Sequence, residues 1–148
     1  DTLLEVYEEA QEVSSEGTPK KPRYSLLVID DMATELKDKA VARLLLKMLR
    51  NYRHIGLSII ICSQNYMALH NQHRQIIRQI VQFDTGSILE QEKLWEEWFS
   101  HIPKREFYDV FWPFIFDKKY EFLMCDRTKD FQIHKTFRPV KVSKHDEE

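Results

Sequence analysis

Ser25-Leu26-Leu27-Val28-Ile29-Asp30-Asp31 and Leu57-Ser58-Ile59-Ile60-Ile61-Cys62-Ser63-Gln64 decide the fold of this chain. Each is a short apolar run, rich in β-branched residues and without polar alternation, that ends in polar side chains. Such runs read as strands buried on both faces, as in a parallel sheet. Between them, Val41, Leu44, Leu45, Met48, Leu49 and Tyr52 recur at helical spacing and predict an amphipathic helix over 36–52. Gly56 ends that helix and leads into the second strand. Strand, helix, strand implies an α/β domain, and such folds place ligands just past the carboxyl ends of their strands. Asp30 and Asp31 leave one strand there and Gln64 leaves the next.

The rest of the chain follows from the same periodicities. Residues 2–13 predict a helix with Leu3, Val6, Tyr7 and Ala10 inward, and 14–23, with Gly17, Pro19 and Pro22, an exposed connection. A third strand is expected over 80–83. A helix is expected over 91–101 with Leu94, Trp95, Trp98 and Phe99 inward, and Pro103 opens a second short helix that Pro113 limits. Residues 120–125 and 131–137 flank a turn at 126–130 and read as a β-hairpin. Residues 1–90 then form the main part of the domain, 91–139 its aromatic helices and hairpin, and 140–148 a tail.

Composition sets the bounds. The chain has 148 residues, 43% hydrophobic and 31% charged, which suffices for a real core. No apolar run approaches a membrane span, and no membrane partner is expected. Cys62 and Cys125 lie in apolar runs without metal-ligand spacing and read as buried free thiols. Net charge is only −2 but unevenly spread. Glu5, Glu8, Glu9, Glu12 and Glu16 open the chain with no basic residue among them. Lys39, Arg43, Lys47 and Arg50 form a basic stripe opposite the apolar face of the central helix. A solvated outer face accounts for that stripe, and contact with a polyanion is the alternative.

Two adjacent carboxylates at a strand exit suit nucleotide hydrolysis: one holds a divalent cation, usually through water, and the next works on the attacking water. Acids decorating a helix N-terminus are the plainer account. Gln64, on the neighbouring strand tip, suits a hydrogen bond to a γ-phosphate or to that water, though a helix-cap position gives the same residue. His70 and His73, three apart with no acidic or Cys neighbour, read as a polar surface turn. Trp95, Trp98, Phe99, Phe107, Phe111, Trp112, Phe114 and Phe116 lack interleaved basic residues and read as core or subunit packing rather than a base-stacking surface.

Residues 49–64, with Arg53 ahead of Gly56 and an apolar strand ending in Gln64, resemble the FtsK–HerA superfamily of ring-forming DNA-pumping ATPases. Ile77-Arg78-Gln79-Ile80-Val81-Gln82-Phe83 resembles the basic residue and strand that follow that Gln. Within the superfamily the likeness points to the genome-packaging ATPases of poxviruses and other large DNA viruses. It implies the second half of a P-loop (ASCE/RecA-like) parallel-sheet ATPase core, with a C-terminal helical segment and β-hairpin. It implies ATP and Mg²⁺ as cofactors, Asp30 as the magnesium-associated Walker B acid, Asp31 as the acid acting on water, and Gln64 as the sensor. Arg53 is implied to act on a nucleotide, that of a neighbouring subunit included; a cation at its own helix's C-terminus is the other account. Double-stranded DNA, a homo-oligomeric ring and capsid or other virion proteins are the implied partners, in the cytoplasmic assembly site or the virion.

Two departures qualify the resemblance. Asp31 stands where Glu is commoner. None of Gly17, Gly56 and Gly86 precedes a Lys, so the phosphate-cradling G-x-x-x-x-G-K-[ST] loop is absent from this sequence. The expectation is the C-terminal portion of a longer ATPase that binds nucleotide weakly by itself. A non-catalytic module with a degenerate ATPase fold is the alternative. A metal-dependent nuclease using Asp30, Asp31 and Asp84 or Asp126 is a third reading.

Overall fold

Two short apolar strands cannot bury themselves, and helices must cover them. In the computed structural model, which describes residues 3–16, 23–31 and 33–142, this happens within the first of two compact units, Asp1–Ile76 and Ile77–Glu148. Helix α1 (Leu3–Ser15) buries Tyr7 and Ala10 and turns its glutamates outward. Strand β1 (Ser25–Asp30) pairs in parallel with β2 (Leu57–Cys62), from Ser25 opposite Leu57 to Asp30 opposite Cys62. Helix α2 (Lys39–Asn51) connects them. It starts later than the apolar pattern predicts, because Asp38 is extended and its carboxylate caps the helix, accepting from the Ala40 and Val41 amides at 2.7 and 3.4 Å. Residues Glu35–Lys37 instead form a separate 3₁₀ turn.

The core of this unit gathers Tyr7, Ala10, Met48, Ile55 and Leu57, with Leu27, Leu44 and Ile59 packed against it. It lies on one face of the sheet only. On the other face Leu26, Val28 and Ile60 are 61%, 55% and 50% exposed, and Cys62 is exposed as well. Burial of both faces, read from the missing polar alternation, is therefore corrected: α1 and α2 cover a single side. Among the described residues β2 has one strand neighbour, β1. Two turns later the first unit ends in the short helix α3 (Asn71–Ile76).

The second unit is a four-stranded antiparallel sheet, in the order β3 (Gln79–Phe83), β4 (Phe122–Asp126), β5 (Gln132–Lys135), β6 (Arg138–Val140). The expected third strand thus exists, but it pairs antiparallel with the hairpin. The aromatic helices lie between β3 and β4 in sequence. Helix α4 (Ile88–Leu94) begins three residues before the predicted start, because Ser87 caps it by accepting the Glu90 amide at 3.3 Å. It widens into a π-helical turn over Trp95–Phe99. Helix α5 (Lys104–Glu106) runs through a second π turn, Phe107–Phe111, into α6 (Trp112–Ile115). Pro113 therefore does not end the helix as expected; the widened turn just before it relieves the crowding that its ring causes in a regular helix. Val140, expected to begin the tail, pairs with Ile133; residues 143–148 lie outside the described residues.

Among the described residues Gly56 is the glycine whose backbone demands it. Its φ is +57°, and a Cβ built there would sit 2.7 Å from the Arg23 carbonyl oxygen, against backbone that cannot swing away. The Gly56 carbonyl in turn accepts the Ser25 amide at 2.8 Å, fixing the start of β1 against that of β2. Gly56→Ala is expected to destabilise the protein by about 1–2 kcal/mol from the left-handed backbone alone, with the carbonyl clash added. Urea denaturation of wild type and variant checks this; an unchanged midpoint would show that the junction relaxes freely.

Candidate functional site at the carboxyl ends of the parallel strands

Because β1 and β2 run parallel and in register, both leave the sheet at the same end. The ladder extends one residue past β1, with the Asp31 amide donating to the Cys62 carbonyl at 3.1 Å. Asp31 then adopts φ 53°, a left-handed conformation that Asp tolerates better than most residues. The opposite turn is held locally: Ser63 Oγ donates to the Asn65 carbonyl at 2.8 Å, and Asn65 Oδ1 accepts the Met67 amide at 2.7 Å. The outcome is direct contact, with Gln64 Nε2 donating to Asp31 Oδ2 at 3.3 Å across 33 residues of sequence. Asp30, Asp31 and Gln64 are all exposed. The structure thus brings Asp31 and Gln64 into contact, with Asp30 one residue earlier at the end of β1.

The donor set limits what this cluster holds. Mg²⁺ favours an octahedral oxygen shell with several retained waters, one or two carboxylates and substrate phosphates. The carboxylate of Asp30 fits one place in or beside such a shell and cannot complete it.

Arg53 stands elsewhere. It follows α2, four residues before β2 begins, so the whole strand separates it from Gln64, about 20 Å at the usual strand rise. It is exposed, its Nε donating to the Tyr52 hydroxyl at 3.0 Å. Within one copy the length of β2 separates it from the Asp31–Gln64 contact.

Several readings of single residues change. Of the expected polar surface turn, His70 is exposed and His73 is buried; both reach back to earlier backbone, Nε2 of His70 lying 2.9 Å from the Leu36 carbonyl and Nε2 of His73 2.8 Å from that of Ala42. Cys62 is exposed; only Cys125 is buried, and burial pushes its thiol up to about 12. Asp126 is committed to structure, accepting from Gln79 Nε2 at 2.8 Å and from the Thr128 hydroxyl and amide at 2.6 and 2.8 Å, and these bonds lower its pKa. Asp84 accepts the Trp112 indole N–H at 3.1 Å. Among the described residues no three His, Cys, Asp or Glu side chains gather to hold a metal ion. Trp98, Phe99, Phe107, Phe111 and Trp112 are buried, as core packing requires.

Arg127 was not singled out in the sequence, where it looks like any turn cation. Its guanidinium lies 3.6 Å from the Trp98 ring centroid and donates to the Ile77 and Glu97 carbonyls at 3.0 and 2.8 Å. It joins the segment leading into β3, the π turn that carries Trp98 and the hairpin turn.

No protein-family model matches the sequence, and no curated protein matches it. The fold is similar to the genome packaging NTPase B204 from Sulfolobus turreted icosahedral virus 2. Against the complex with AMPPCP the TM-score is 0.64, at 20% identity over 89% of this chain and 61% of that one. Against the complex with AMP it is 0.60, at 18% identity over 95% and 61%. B204, the DNA-packaging ATPase from Sulfolobus Turreted Icosahedral Virus, gives 0.58, at 22% identity over 82% and 55%. The chain thus spans about 61% of the length of the first of these structures. At such identities the likeness establishes the fold: a mixed α/β arrangement, one parallel pair and one antiparallel sheet, matching part of a B204 ATPase domain.

The docking of α3 carries a pH signature. Burial lowers the pKa of His73 from its ordinary 6.5, nearby His70 adds to this, and the Ala42 carbonyl opposes it. With Nε2 directed at that carbonyl, Nδ1 is buried with no partner, and a proton there would charge a site lacking an acceptor. The folded pKa lies below the unfolded one, so the contribution is complete above about pH 6.5 and is lost as pH falls below it towards the folded value. Stability measured by urea denaturation is expected to decline from pH 7.5 to 5.5, and His73→Gln to flatten that decline. An unaltered slope in the variant would locate the dependence elsewhere.

Proposed function

We propose that this chain is a portion of an ATP-driven double-stranded DNA translocase of the FtsK–HerA type, in the genome-packaging branch that serves poxviruses and other large DNA viruses. One observation carries the reading: Gln64 and Asp31, on adjacent parallel strand ends, are hydrogen-bonded to each other in a fold similar to a packaging NTPase. In this reading Asp30 would hold Mg²⁺ through its water shell, and the ion would supply charge neutralisation for phosphoryl transfer. Asp31 takes the proton of the attacking water. Gln64 orients that water and senses the γ-phosphate. Arg53, at the far end of β2, serves a nucleotide on a neighbouring subunit of a homo-oligomeric ring.

The G-x-x-x-x-G-K-[ST] loop is supplied, in this proposal, by the part of the ATPase that this chain does not span, and the chain alone binds nucleotide weakly. Double-stranded DNA is the substrate moved, with capsid or other virion proteins as partners in the cytoplasm or virion. Among the described residues no helix is long and apolar enough to cross a membrane. The absent loop also supports a second reading, a non-catalytic module that kept the fold and lost the chemistry.

Asp31→Asn in the complete protein decides between these. Loss of a positioned base is expected to lower ATP turnover by about 10²–10⁴-fold while Mg-ATP binding is retained. Wild-type turnover in the variant would overturn the assignment of Asp31 as the base, and no turnover in the wild-type protein would favour the non-catalytic module. A mixing experiment tests Arg53: Arg53→Ala subunits combined with Asp31→Asn subunits are expected to regain ATPase activity at shared interfaces. A cation that only caps its own helix gives no such recovery.

A further inference from the structure

Past Gln64 the chain is fastened at once. Asn65 caps a 3₁₀ turn, Tyr66–Ala68, whose Tyr66 is buried, as is Leu69 after it. The Arg74 guanidinium lies 5.3 Å from the Tyr66 ring centroid and donates to the Leu69 carbonyl, so this segment folds back on itself. His70 comes next. Its Nε2 is 2.9 Å from the carbonyl of Leu36, a buried residue of the 3₁₀ turn Glu35–Lys37 on the connection that leaves β1. A carbonyl only accepts, so Nε2 carries the proton and donates it. His73, its ring centroid 5.7 Å from that of His70, makes the corresponding bond to Ala42 on α2.

The two strand exits are therefore joined twice, by Asp31 and Gln64 at the tips and by Leu36 and His70 behind them. The first bond, at 3.3 Å between exposed side chains, contributes little by itself and must also offset the rotamer freedom that a held glutamine loses. The second ends on the backbone of a buried residue, which makes it a fixed point. We propose that His70 is a positioning residue for Gln64: by holding the chain after β2 against the chain after β1, it keeps the Gln64 amide where the Asp31 carboxylate accepts it. His70 has this role rather than His73 because Leu36 lies before the Asp38 cap, on the connection that starts at Asp31, whereas Ala42 belongs to α2 itself. The placement of Gln64 needs no nucleotide chemistry. Its effect on turnover rests on the reading above, in which Gln64 orients the attacking water.

NMR of the complete protein with isotopically labelled glutamine tests the placement without nucleotide. The Gln64 side-chain amide resonances are assigned by their loss in Gln64→Glu, and Asp31→Ala defines their position when the contact is absent. His70→Ala is expected to move them to that position. His70→Gln, whose amide can donate to the Leu36 carbonyl, is expected to return them towards the wild-type one. Turnover is expected to follow: kcat about tenfold lower or more in His70→Ala, with KM for ATP unchanged, and recovered in His70→Gln. A histidine that only stabilises the fold would lower the melting temperature and leave resonances and kcat in place, and that result would overturn the proposal. So would a His70→Ala chain that does not fold, failure of His70→Gln to recover the resonances, or moved resonances with wild-type kcat. Moved resonances where even the wild-type protein shows no turnover would uphold the placement and fail the ATPase reading. Unmoved resonances in an active enzyme would fail the placement alone.

Discussion

The parallel register of β1 and β2 is the constraint on which the rest depends. With Asp30 opposite Cys62, the two strands end level, and the extra bond from the Asp31 amide to the Cys62 carbonyl carries the alignment one residue further. A slip of one residue would turn every side chain to the other face and move Asp31 away from Gln64. The register is anchored at its far end by Gly56, whose positive φ lets its carbonyl receive the Ser25 amide. A backbone requirement at the amino end thus positions acid chemistry at the carboxyl end.

The second unit is held by different means. Stacked and tilted rings of Phe99, Phe107, Phe111 and Trp112, with centroids 5.5–5.7 Å apart in their pairs, fill its interior. Two π-helical turns set those rings out of ordinary helical phase. Arg127 then ties three segments together through carbonyl bonds and the face of Trp98. The unit also keeps an apolar outer surface, with Phe83 60% and Phe137 79% exposed, both touching the Phe122 ring. Exposed apolar area of this kind is costly in water and marks contact surface. The open face of β1 and β2, with Leu26, Val28 and Ile60, has the same character.

Most elements were legible because their signals are local. The apolar runs gave β1 and β2, the helical spacing gave α1 and α2, and the turn around 126–130 gave the hairpin. The misreadings also have local causes. Asp38 competed with the apolar pattern for the start of α2 and won by capping it. Pro113 was read as a terminator because a proline signal carries no information about a preceding π turn. Burial of β1 and β2 on both faces follows from the missing polar alternation, yet burial is decided by what packs on a strand. His73 looked like a surface residue because nothing in its neighbourhood announces a carbonyl 31 residues away.

The sequence by itself determined the strand–helix–strand order and the residue types at the strand exits. Both follow from periodicity and side-chain chemistry, which reside in the residues themselves. Only the tertiary structure decided that Gln64 touches Asp31, that Arg53 lies a strand's length from both, and that β3 joins the hairpin. These are relations between segments far apart in the chain. They are set by pairing and packing free energies that no single stretch of sequence contains.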